Sequence, residues 1–120
     1  MVSTSVRMTV EWLVPVGQTR AITVALHAMA AEIHSPQSII TCSVSSDTRG
    51  RGVVRYVEEW ESEEDLRRRI LAPTFRQLIT LMEDSTQPPR VEFALGHGTR
   101  GRDFLQEVRG GVRDQHSTQH

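Results

Sequence analysis

The chain contains no lysine and no asparagine, and it has only one cysteine, Cys42, and one tyrosine, Tyr56. A single cysteine excludes an internal disulfide and a cysteine-cluster metal site. Without lysine no Schiff base can form on a side-chain amine, and without asparagine no Asn amide can act as ligand or donor. No apolar run approaches the ~18 residues of a membrane span. Met1-Val2-Ser3-Thr4 lacks the charged and apolar regions of a secretory signal, so the expectation is a soluble cytoplasmic protein. Excess charge is missing too. Fourteen basic residues, all arginine, face 15 acidic ones, for a net charge of −1. That excludes whole-molecule attraction to nucleic acid or to an anionic membrane.

What remains is one ordinary domain of 120 residues. About a quarter of the chain is Val, Ile, Leu or Phe, enough to bury a modest core. Val6, Met8, Val10, Trp12 and Val14 alternate with Arg7, Thr9 and Glu11, the period of a half-buried strand, stopped at Pro15-Val16-Gly17. A helix is expected over 19–34, because Ile22, Leu26, Met29 and Ile33 share one face. A second strand at 38–46 opposes Ile40, Cys42 and Val44 to Thr41, Ser43 and Ser45, leaving Ile39 on the second face. Residues 47–52 read as a hairpin loop into a third strand at 53–61. Ser62-Glu63-Glu64-Asp65 is a capping sequence for a helix carrying Leu66 and Ile70 inward. Pro73 breaks it, and Phe75, Leu78, Ile79 and Met82 form the next helical stripe. A strand at 90–96 and a short helix at 102–109 follow.

The order βαββαβ predicts an α+β, ferredoxin-like sandwich in a single domain over 1–109, with its core at 6–96, an extension at 99–109 and a flexible tail at 110–120. One sheet face has no helix to cover it. It holds Arg7, Thr9, Glu11, Thr41, Ser43, Arg90 and Glu92 with Leu13 and Ile39, a mixed surface suited to a second copy of itself. A homodimer is expected.

Within this order, the run Tyr56-Val57-Glu58-Glu59-Trp60-Glu61-Ser62-Glu63-Glu64-Asp65-Leu66, followed by Phe75, resembles the antibiotic-biosynthesis-monooxygenase family. The resemblance covers roughly residues 6–96 and implies a dimeric α+β barrel with an apolar pocket in each protomer. It further implies oxidation of an aromatic or quinol-type molecule by molecular oxygen without metal or flavin. Two positions depart from the family pattern: Arg69 and Thr74 stand where many members carry histidine. The haem-degrading branch relies on an Asn and a helix His. With no Asn, and no His between His34 and His97, haem degradation does not fit.

Tyr56, Glu58 and Trp60 share one strand face, and Glu58 is the residue that demands explanation. A carboxylate on an apolar face must be paired or protonated. It is either an acid–base group or one half of an ion pair with Arg68 or Arg69. In the catalytic reading Glu58, Arg69 and Tyr56 act on the substrate, and Trp60, Trp12, Phe75 and Phe93 wall the pocket. In the alternative the barrel is catalytically silent and binds a small ligand or a protein partner. Arg67-Arg68-Arg69 follows three acidic residues at helical offsets and reads as a self-neutralising face. The five histidines show no metal-ligand spacing, so no metal and no cofactor is expected.

Overall fold

Strict alternation makes β1 (Val6–Val14) the centre of the molecule, since every second residue from Val6 to Val14 is buried. The computed structural model describes residues 5–33, 39–47, 52–85 and 87–117, with backbone alone for Val16 and residues 111–117. After one 3-10 turn at Val16–Gln18, α1 spans Thr19–Glu32, followed by β2 (Ile39–Asp47), β3 (Gly52–Trp60), α2 (Glu63–Leu71), α3 (Phe75–Glu83) and β4 (Arg90–Leu95). A short β5 (Gly98–Arg100) and α4 (Arg102–Ser117) close the chain. The sheet is antiparallel in the order β2-β3-β1-β4-β5, the ferredoxin-like arrangement extended by one edge strand. The expected fold class is thus the observed one.

The helices cover one face only. Met8, Val10, Trp12, Val54, Tyr56 and Phe93 project from the sheet into a layer formed with Leu26, Leu66, Ile70, Phe75 and Leu78, all essentially without solvent contact. Met8, Met29 and Met82 lie in this core as apolar filler.

Several local readings change. A β-bulge between Ile39 and Thr41 sets Ile39 opposite Trp60, so Ile39 packs against the core and Ile40 is exposed. One extra residue inverts the face of everything before it. Leu13, by contrast, is exposed as expected. Helix α1 opens without a side-chain cap, growing directly from the 3-10 turn. Ser62 does cap α2: its Oγ accepts from the Asp65 N–H at 3.2 Å. The last helix passes through Gly110-Gly111 to Ser117, whereas those glycines read as the start of a tail. Strand β5 is three residues long, too short for alternation to reveal. Of the 47–52 loop, residues 48–51 lie outside those described, as do His34 and His120.

Gly52 is required by close approach. A Cβ there would collide with the Val14 carbonyl oxygen and sit 2.7 Å from Thr19 Cγ2, where β1 hands the chain to α1. Both contacts are held by the sheet ladder and a helix start, so neither yields easily. Gly52→Ala is expected to lower stability by about 1–3 kcal/mol, read as a reduced urea midpoint with an unchanged slope.

Candidate functional site

Register brings Glu58 to the middle of the helix-covered face, between Met8 on β1 and Cys42 on β2. Its neighbours along β3 on that face are Tyr56 and Trp60, two residues either way, and all three are buried. The chain turns back after Trp60, and the Ser62 cap fixes where α2 begins. Leu66, Arg69 and Ile70 then lie on the buried stripe of α2, at i, i+3 and i+4. That geometry delivers Arg69 over Glu58.

The carboxylate is fully engaged. Tyr56 donates its hydroxyl to Glu58 Oε2 at 2.5 Å, and the Trp60 indole N–H donates to Oε1 at 2.9 Å. Arg69 adds Nη2 to Oε2 at 3.1 Å and shares Nε between both oxygens at 3.3 Å. A carboxylate offers about four acceptor positions, and these donors occupy them. Glu58 is 0% exposed and Arg69 5% exposed, so the pair is a buried salt bridge. The guanidinium also lies 5.1 Å above the centre of the Phe75 ring, a cation–π contact. Its Nη1 donates to Thr74 Oγ1 at 3.1 Å. The two positions that depart from the family pattern therefore touch each other, and both serve the same carboxylate.

At the other end of the network the Cys42 thiol donates to the Tyr56 hydroxyl at 3.3 Å. Burial, with the negative charge of Glu58 beside it, raises the Tyr56 phenol far above its ordinary range. Burial also raises the Cys42 thiol, which suits a half-buried apolar filler and not a nucleophile.

Of the ion-pair partners considered for Glu58, Arg69 is the one used. Arg67 and Arg68 pair with Glu63 and Asp65 on the helix surface, as the charge pattern suggested. Among the pocket candidates Trp12, Phe75 and Phe93 are buried without solvent contact. Phe93 packs on Phe104, ring centres 4.8 Å apart. Phe104 stands on α4, whose sequence is otherwise mostly polar, and is one of the apolar residues from which a helix at 102–109 is expected. The Trp12 indole N–H has no hydrogen-bond partner among the described residues. His27 is exposed, and His97 contacts Glu63 at 3.2 Å. No group of three or more metal-binding side chains occurs among the described residues. No helix among them is long and apolar enough to cross a membrane.

Surface cavities open elsewhere. One of 470 Å³ lies on the uncovered sheet face, bounded by Arg7, Thr9, Glu11, Arg55, Val57, Arg90 and Glu92. Another, of 480 Å³, lies between α3 and α4. Neither is lined by Tyr56, Glu58 or Trp60.

No protein-family model matches the sequence, and no curated protein does. Solved structures do. A candidate antibiotic biosynthesis monooxygenase from Caulobacter crescentus superposes with a TM-score of 0.66 at 11% identity, over 78% of this chain and 91% of that one. A second candidate of that name, from Nitrosomonas europaea, gives 0.65 at 12% identity, over 80% and 93%. A conserved protein from Methanosarcina mazei gives 0.67 at 15% identity, over 78% and 93%. The chain has the fold of the antibiotic-biosynthesis-monooxygenase structures.

Two outcomes follow from the buried cluster. Glu58→Gln strands the Arg69 charge and is expected to cost about 3–5 kcal/mol in urea unfolding. Replacing both partners, Glu58→Gln with Arg69→Met, should recover part of that loss. The second outcome concerns pH. The folded-state pKa of Tyr56 lies above its unfolded value of about 10, so its contribution is complete below pH 10 and is lost as pH rises beyond it. Because Tyr56 is the sole tyrosine, phenolate absorbance reports it alone. The absorbance rise should coincide with loss of far-ultraviolet circular dichroism, not precede it.

Proposed function

We propose that the protein is a dimeric α+β barrel that binds a small aromatic or quinol-type molecule, with the Glu58 cluster as its internal scaffold. The observation that carries this reading is the saturation of Glu58. A general base needs a free acceptor within reach of the substrate proton. Here the acceptors are occupied by Tyr56, Trp60 and Arg69, in a side chain with no solvent contact. Withdrawing one partner leaves a buried charge uncompensated, a cost that works against catalytic use.

The dimer is supported by the uncovered sheet face. Arg55 and Glu11 pair within one protomer. Arg7, Arg90 and Glu92 have no ion-pair partner among the described residues, although they surround the same hollow with half-buried Thr9 and Val57. A two-fold axis through that hollow lets Glu92 of one copy meet the arginines of the other and covers Val57.

A cofactor-free monooxygenase is the second reading, favoured by the folds it shares with the Caulobacter and Nitrosomonas proteins and by the buried aromatic cluster of Tyr56, Trp60, Trp12, Phe75 and Phe93. In that scheme Glu58 accepts the substrate proton and the Arg69 cation stabilises the resulting enolate or phenolate as oxygen reacts with it. One set of measurements separates the readings. Sedimentation at micromolar concentration should give twice the 13.6 kDa chain mass. Anthrone- and quinol-type compounds should bind without oxygen uptake above the background rate. Uptake that disappears in Glu58→Gln, with the variant still folded, would establish the oxygenase instead.

A further inference from the structure

The groove between α3 and α4 has a chemistry of its own. On α4, Arg102, Leu105, Gln106 and Arg109 fall at i, i+3, i+4 and i+7, and α3 contributes Ile79, Met82 and Glu83. The floor is apolar: Met82 and Leu105 are buried, and Ile79 is partly buried against the core. Its 480 Å³ is within the range of small-ligand sites.

The arginines beside this floor differ from the others that are tied down. Arg55, Arg67, Arg68, Arg69 and Arg100 each reach a carboxylate. Among the described residues Arg102 and Arg109 reach none, and each is anchored by a backbone carbonyl instead. Arg102 Nη2 donates to the Pro89 oxygen at 2.7 Å, and Arg109 Nη1 donates to the Ile70 oxygen at 3.1 Å. A neutral carbonyl orients a guanidinium without cancelling its charge, and most of its five N–H donors have no partner among the described residues. Two arginines against Glu83 leave the lining with one net positive charge.

We propose that this groove binds a small organic monoanion: a carboxylic acid with an apolar, ring-bearing body. Its carboxylate engages Arg102 and Arg109, and its body covers Ile79, Met82 and Leu105. The inference rests on the ligand-binding reading above and assigns that reading a place and a charge. Charged hydrogen bonds to a pre-oriented guanidinium supply orientation, and the buried floor supplies apolar area.

The test titrates the full chain with anilinonaphthalene sulfonate, a fluorescent monoanion, and displaces it with naphthoate. Nile red serves as the uncharged probe. Saturable sulfonate binding, displaced by naphthoate, is expected. Arg102→Gln combined with Arg109→Gln should weaken it at least tenfold and leave Nile red binding unchanged. Glu83→Gln removes the opposing charge and should tighten it. Melting temperatures of both variants, measured alongside, confirm that each is folded. Sulfonate binding unaffected by the arginine changes overturns the proposal. So does a Glu83→Gln protein that binds no more tightly. If Trp60→Phe abolishes binding while the arginine variants do not, the ligand sits under the sheet: the groove is wrong and the ligand-binding reading stands. If no probe binds at all, both fall.

Discussion

A carboxylate and a guanidinium, both shut away from water, hold β3 to α2, and much of the interior is arranged to satisfy them. An isolated buried charge is untenable, so Glu58 must have Arg69, and Arg69 must have Glu58. The remaining donors come from Tyr56 and Trp60. This explains why the only tyrosine and one of two tryptophans flank the acid at the pleat spacing of two. Aromatic residues that offer one polar tip are the side chains that fill an apolar layer and still hydrogen-bond a carboxylate. Thr74 and Phe75, at the start of α3, grip the far side of the guanidinium. The break between α2 and α3 is thereby tied to the same group.

The outer ion pairs belong to a different regime. Arg67 and Arg100 flank the Phe104 ring at 5.0 and 5.5 Å, and carboxylates of Glu63, Asp103 and Glu107 surround them. The Arg67 guanidinium, first among several contacts, lowers the Glu63 carboxyl below its usual range. These groups are wet and screened by salt, so they contribute less than the buried pair. Their service is to seat Phe104 on Phe93 and so to fix α4 against the sheet. The buried pair ties α2 to β3, and the surface network holds α4 in place.

With its central carboxylate committed, two surfaces carry the proposed functions. The uncovered sheet face sets Arg7 and Arg90, without an ion-pair partner among the described residues, beside Glu92 and half-buried Thr9 and Val57, and the proposed dimer interface rests on that mixture. The α3–α4 groove pairs an apolar floor with two guanidinium groups that no carboxylate neutralises among the described residues. Both features are made of arginine, the only cationic side chain the chain has besides its histidines.

The sequence by itself determined the fold class and most of the elements. Period-two alternation in β1, β3 and β4, period-3.6 stripes in α1 and α3, and the Ser62 cap are local signals, readable within a dozen residues. Alternation also put Tyr56, Glu58 and Trp60 on one face. Other features were decided by contacts distant in sequence. Which arginine meets Glu58 depends on how far the chain travels between β3 and α2 and on the rotation of that helix, so Arg68 and Arg69 are alike in one dimension and opposite in three. Ile39 turns inward because of a bulge set by pairing with β3. The groove arginines are recognisable only once α3 and α4 stand beside each other, since nothing in their spacing tells which of them lacks a carboxylate. Periodicity reports which way a side chain points relative to its own element; what it meets there is fixed by packing.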